Sequence, residues 1–167
     1  MRAGDKVESY KLIAETLKVL SEPWQLKIFG DGPERAKVEK IFTSFGDQVQ
    51  FAGLADPFTL AEAYADSDLF VWPGIGEGFG MAYLEAQAAG LPCVACNAPG
   101  PHGALDDASA RFVQGTPAAF GWAVDDLARN KDRREAMGEA ARRIVSTRFS
   151  KERFLQTLRD AMASQLV

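Results

Sequence analysis

Pro73-Gly74-Ile75-Gly76-Glu77-Gly78-Phe79-Gly80-Met81-Ala82-Tyr83-Leu84-Glu85-Ala86-Gln87-Ala88-Ala89-Gly90-Leu91-Pro92 is the stretch on which the reading of the fold turns. An apolar, β-rich run at residues 68–72 leads into it. Glycines then stand at positions 74, 76, 78 and 80, and a run of good helix formers continues until Gly90 and Pro92 stop it. A strand, a turn and a helix in that order leave free amides at the helix N-terminus, which suit anionic or hydroxyl-rich ligands.

Glu77 in the turn and Glu85 in the helix stand eight positions apart. Eight helical residues rise about 12 Å, whereas a glycosidase carboxylate pair must close to roughly 5–9.5 Å. The spacing therefore predicts two carboxylates that grip two ends of one long ligand. A nucleotide-sugar meets that description: its sugar and its ribose both offer hydroxyls to carboxylate acceptors, and the diphosphate between them suits helix amides. Glu85 is expected to lie among Met81, Leu84 and Ala88 on one helical face, where an unpaired carboxylate would be costly.

Outward from this stretch, helical and strand patterns alternate. Residues 7–20 are amphipathic, 24–29 read as a strand, 33–45 as a helix with Pro33 in its first turn, 49–52 as a strand and 58–65 as a helix. The series continues with a strand at 69–72, a helix at 80–89, a strand at 93–96 and a short strand near 111–113. The tail, 117–165, reads as three helical segments separated near Asn130 and Ser150. Such alternation argues for an α/β fold: a Rossmann-like parallel sheet flanked by helices, with ligands at the carboxyl ends of the strands.

Composition supports one domain with a real core, since 47% of the 167 residues are hydrophobic. The net charge is -4, and the basic residues crowd into the last third, alternating with acids at helical spacing. That pattern reads as a solvated helix face, so nucleic acid is not an expected partner. No apolar leader and no run long enough to span a bilayer is read, so the chain is expected in the cytoplasm, with a membrane-peripheral position open.

Several motifs fail as chemistry. Cys93 and Cys96 form C-x-x-C, but residues three apart in a strand face opposite ways, so they suit a buried core strand. With two cysteines and His102 as the lone histidine, no zinc set can be assembled, and no metal site is expected. Asp66-Ser67-Asp68 opens a strand at its amino end and reads as a capping feature. No G-x-G-x-x-G and no Gly-Lys dipeptide occurs, which excludes a nicotinamide fingerprint and a P-loop. His102 falls in the loop after the 93–96 strand, near the site, as either a ligand contact or a solvated loop residue.

Taken together, Glu77-Gly78-Phe79-Gly80, Leu84-Glu85-Ala86, Gly90-Leu91-Pro92 and Val94-Ala95 resemble the donor-site signature of the retaining family 4 (group 1) glycosyltransferases, in the C-terminal half of the two-domain GT-B fold. Leu26-Lys27-Ile28-Phe29-Gly30-Asp31-Gly32-Pro33 resembles the strand and turn of that half. Val49-Gln50-Phe51-Ala52-Gly53 and Ala65-Asp66-Ser67-Asp68-Leu69-Phe70-Val71 agree with it.

The resemblance implies that Glu77 accepts hydrogen bonds from a donor sugar beside the amides of Gly78, Phe79 and Gly80. It implies that Met81 and Ala82 offer amides to the diphosphate and that Glu85 holds the ribose. Arg2 and Lys6 would clamp the diphosphate, Leu54 would meet the base through its backbone, and Gly30 would line the donor side of its turn. No cofactor is implied beyond the nucleotide-diphosphate sugar itself, which is the donor substrate.

On this reading residues 1–167 are a single nucleotide-sugar (donor) binding domain without its first strand and without the N-terminal acceptor domain. The function implied is transfer of a sugar from a nucleotide-diphosphate sugar to an acceptor by a metal-independent, retaining route. The isolated chain is expected to be inactive. Alternatives are a nucleotide-sugar binding module without turnover and a nucleotide-sugar 2-epimerase-like domain. Phe149, Phe154, Leu155, Leu158, Met162 and Leu166 give the last helix an apolar stripe, which is expected to meet the missing domain or a partner chain, to self-associate, or to fold onto the body.

Overall fold

Strand and helix alternate in the computed structural model, which describes residues 1–163. Helix α1 (Asp5–Leu17) precedes strand β1 (Leu26–Phe29), α2 (Arg35–Phe42), β2 (Val49–Gly53), α3 (Pro57–Ala65), β3 (Phe70–Val71), α4 (Met81–Ala89) and β4 (Cys93–Cys96). Then come α5 (Pro99–Ala104), β5 (Ala110–Val113) and a tail of α6 (Pro117–Arg129), α7 (Lys131–Arg148) and α8 (Lys151–Ala163).

Local chemistry fixes several boundaries. Asp56 caps α3 by accepting from the Phe58 and Thr59 amides, with Pro57 in the first turn, and Thr116 caps α6 through the Ala119 amide with Pro117 behind it. Asn130 accepts from the Arg133 amide, which breaks α6 from α7 where the sequence predicts. The helix expected at residues 33–45 is shorter. Pro33 lies in the turn before it, and Thr43–Gln48 tightens into a 3₁₀ segment.

All strand pairs are parallel, but they form two sheets. β1 pairs with β2, and β3, β4 and β5 pair in that order. Strand β4 is buried on both faces and divides the larger core. Val94 and Cys96 pack with Leu12, Phe120, Leu127 and Met137, while Cys93 and Ala95 pack with Tyr83, Ala86, Leu91 and Leu105 on the other face. The two cysteines are free thiols on opposite faces, as the spacing predicts, and burial raises the pKa of each. A third cluster, Val7, Ile13, Ala14, Ile28, Val38 and Phe42, seals α1 and α2 against β1 and β2.

Residues 151–162 of α8 are exposed, so that part of the apolar stripe does not fold onto the body, and Leu166 lies outside the described residues. Asp66 caps the end of α3 and Asp68 faces Arg134 at 3.4 Å, both at the amino end of β3 and away from the glycine-rich turn.

Candidate functional site

The glycine-rich turn is moulded around a buried tyrosine. Tyr83, on the first turn of α4, donates its hydroxyl proton to the Trp72 carbonyl at 2.9 Å, and its ring lies against Gly74 and Gly80. Both glycines have positive φ, 69° and 83°, and a Cβ on either would overlap the tyrosine. Gly80 in this left-handed conformation caps α4, so the amides of Met81 and Ala82 open the helix without intrahelical acceptors.

Glu77 is fixed within that turn. Its amide donates to the Gly74 carbonyl at 3.1 Å, and Gly100 of α5 packs so closely under its carbonyl oxygen that a Cβ there would overlap it. The six-residue helix α5 replaces the loop expected around His102. Pro99 sets its first turn, and Gly103 faces the ring of Phe79. His102 stacks on Phe112 with ring centroids 3.8 Å apart, and its Nε2 shares a hydrogen bond with Asn97 Oδ1 at 2.8 Å.

From the first turn of α1, Lys6 reaches the same turn. Its Nζ lies 2.5 Å from Glu77 Oε2 and 5.0 Å from the centre of the Trp72 ring, so the ammonium sits between a carboxylate and an aromatic face. The lysine side chain is 37% exposed and the glutamate 18%. Burial alone would raise the Glu77 pKa. The Lys6 ion pair, with the Trp72 indole and the Gly78 amide, outweighs burial and holds the carboxyl below its ordinary value. The turn is also tied to α1 by the Ile75 amide, which donates to Ser9 Oγ at 3.2 Å.

Glu85 lies elsewhere on α4. The face of α4 turned inward carries Tyr83, Ala86 and Gln87, so Glu85 is exposed rather than enclosed by Met81, Leu84 and Ala88. Its side chain accepts from the Tyr64 hydroxyl at 3.2 Å, and burial, then the neighbouring carboxylate, raises the tyrosine's pKa.

The structure thus brings Lys6 and Glu77 together and sets Gly78, Phe79, Gly80, Met81 and Ala82 beside them along one turn. Arg2 is exposed and has no ion pair among the described residues. Leu54 is 80% exposed just past the carboxyl end of β2. Gly30 ends β1, but its amide already donates to the Gly53 carbonyl at 2.7 Å, so it has no free donor for a ligand. Trp72, Tyr83 and Tyr64 were not singled out in the sequence. An aromatic at a strand's carboxyl end signals Trp72, whereas nothing in the spacing links Tyr64 to Glu85.

Chemically, the site offers a cation, a row of helix-opening amides and two carboxylates in different surroundings. No cluster of three His, Cys, Asp or Glu side chains that could hold a metal is found among the described residues. No helix among them is long and apolar enough to cross a membrane.

Residues 5–144 match the family model described as "Glycosyl transferases group 1". Over 140 residues the chain is 33% identical to the sulfoquinovosyl transferase SQD2 of Arabidopsis thaliana, covering 81% of this chain and 27% of that protein. It is 30% identical over 149 residues to a GDP-mannose-dependent monoacylated α-(1-6)-phosphatidylinositol monomannoside mannosyltransferase of Corynebacterium glutamicum, covering 84% of this chain and 39% of that one. The chain therefore spans well under half the length of these curated relatives. In fold it superposes on a glycosyltransferase from Rickettsia africae with a TM-score of 0.84 at 19% identity, over 99% of this chain and 46% of the other. Anabaena HepE in complex with UDP and glucose superposes with a TM-score of 0.80 at 18% identity, over 98% of this chain and 47% of the other.

Proposed function

The chain belongs to the group 1 glycosyltransferases, and from that premise we propose that it is the donor-binding domain of a retaining, metal-independent glycosyltransferase. The donor would be a nucleotide-diphosphate sugar, the kind of substrate named for the mannosyltransferase relative. The observation that carries this reading is the convergence of Lys6 and Glu77 on the turn whose Met81 and Ala82 amides open α4.

The roles follow from charge and donor capacity. The amides of Met81 and Ala82, with Lys6, neutralise the diphosphate and stabilise it as it leaves. Glu77 accepts from the sugar hydroxyls beside Gly78, Phe79 and Gly80. Glu85 accepts from the ribose, and Leu54 offers backbone to the base. Arg2 completes the phosphate clamp by swinging in from the exposed N-terminal segment. No side chain of this domain need act as a covalent nucleophile, because its task is to orient the donor.

The acceptor and the groups that bind it belong to a second domain or a partner chain. The exposed stripe of α8 and the division of the strands into a β1–β2 and a β3–β4–β5 sheet are the features by which this domain would be completed, by docking and by one more strand. On its own the domain should bind donor in the cytoplasm without transferring it.

The test is a calorimetric screen of nucleotide-sugars against the chain in EDTA. Binding of at least one nucleotide-sugar, undiminished by EDTA and weakened by salt, is expected. Binding that requires magnesium or manganese, or transfer to an acceptor by this chain alone, would contradict the proposal.

A further inference from the structure

The ion pair between Lys6 and Glu77 joins two groups that the donor reading assigns to different parts of one ligand, the diphosphate and the sugar. Each is the only oppositely charged side chain within ion-pair distance of the other among the described residues. The two are unequally free to move. The Glu77 backbone is held by the hydrogen bond its amide donates to the Gly74 carbonyl and by Gly100 under its own carbonyl. Lys6 extends from the exposed start of α1 on a flexible four-carbon stem, resting on the face of Trp72. When the pair separates, it is therefore the lysine that moves.

We infer that Glu77 acts as a placeholder for the ligand's phosphate at Lys6, and that this exchange makes the site favour a nucleotide-sugar over the bare nucleoside diphosphate. This rests on the donor reading given above. A bare diphosphate that draws Lys6 away leaves a mostly buried carboxylate without its cation, next to an incoming anion. A nucleotide-sugar draws Lys6 away in the same manner, but its sugar hydroxyls then donate to Glu77 and replace the lost bond. Once the sugar has left, re-formation of the Lys6–Glu77 pair opposes retention of the diphosphate. Glu77 is thus a specificity-determining residue that discriminates by penalising the ligand that lacks a sugar.

The test is calorimetric titration of the full chain, Glu77→Gln, Lys6→Met and the double variant with a nucleoside diphosphate and with the corresponding nucleotide-sugar, using the nucleotide that the native chain binds best. Glutamine keeps the shape and removes the charge. In Glu77→Gln the bare diphosphate should bind about three- to tenfold more tightly than to the native chain, the range set by loss of a partly exposed pair and of repulsion between like charges. The nucleotide-sugar should gain less or weaken. In a Lys6→Met background the same glutamine substitution should give a smaller gain, because the cation to be freed is gone. Unchanged or weaker diphosphate binding in Glu77→Gln, with native binding intact, overturns the placeholder role and leaves the donor site standing. No binding of either ligand by any of the four proteins overturns both.

Discussion

Glu77 and Glu85 differ in almost every physical respect although they stand on one turn and the helix it opens. Glu77 is mostly buried, paired with Lys6 at 2.5 Å and fixed from below by α5. Glu85 is exposed and its side chain accepts a hydrogen bond from the Tyr64 hydroxyl. The first carboxylate already has its charge compensated, so a ligand must compete for it. The second is open to any hydroxyl that arrives. Identical side chains can therefore anchor two ends of a ligand under opposite energetic rules.

That contrast is most exposed to disproof in binding. Glu85→Ala should weaken both the nucleoside diphosphate and the nucleotide-sugar, by about 1.5–3 kcal/mol for hydrogen bonds to a charged acceptor. Glu77→Ala should weaken only the nucleotide-sugar by a comparable amount. Calorimetry on the two variants checks this, and equal losses for both ligands in Glu77→Ala would remove the assignment of ends.

Next in size is the floor under Glu77. Gly100→Ala places a methyl group against the Glu77 carbonyl oxygen and should destabilise the domain by about 1–3 kcal/mol, the cost of overpacking. Urea denaturation measures it. Wild-type stability in this variant would mean that the turn is not held from α5, and with it the contrast in rigidity between the two ends would fall.

At the other end, Tyr64→Phe keeps the edge-to-face packing on Phe70 and removes only the bond to Glu85. Ligand affinity should fall by about 0.5–1.5 kcal/mol with the fold unchanged. No change in affinity would show that Glu85 needs no support to hold its position.

The smallest effect is acid sensitivity. Glu77 titrates below the ordinary carboxylate value in the folded chain, so its stabilisation is complete above the unfolded value, about pH 4.3, and is lost as pH falls through the folded one. Lys6→Met removes the main opposing charge and should shrink that acid-side loss. Asp56 and Asp125, also lowered by their hydrogen bonds, keep theirs. Chemical denaturation at stepped pH reports the difference, and identical acid profiles for the variant and the native chain would dissociate Lys6 from Glu77.

Much of this was legible in the sequence because local signals and packing agree there. Alternation of period, the break at Asn130 and the glycines around Glu77 each dictate a backbone geometry that the tertiary structure keeps. The expectations that failed were those decided by packing. The apolar neighbours of Glu85 could lie on either face of α4, and the inward face went to Tyr83, Ala86 and Gln87. The segment Pro99-Gly100-Pro101-His102-Gly103 reads as a loop by propensity, yet it coils because Gly100 and Gly103 fit under the turn. The Lys6–Glu77 pair spans 71 positions, a distance at which spacing along the chain carries no information.

The central claim is that a nucleotide diphosphate seats on the turn between β3 and α4. Titration of the ¹⁵N-labelled chain with a nucleoside diphosphate, followed by amide chemical shifts, tests it most directly. The largest shifts should fall at Glu77, Gly78, Phe79, Gly80, Met81 and Ala82, with Glu85 and Tyr64 responding as well. Shifts centred instead on the groove beside α8, around Phe149, Lys151 and Phe154, with the turn silent, would contradict the account.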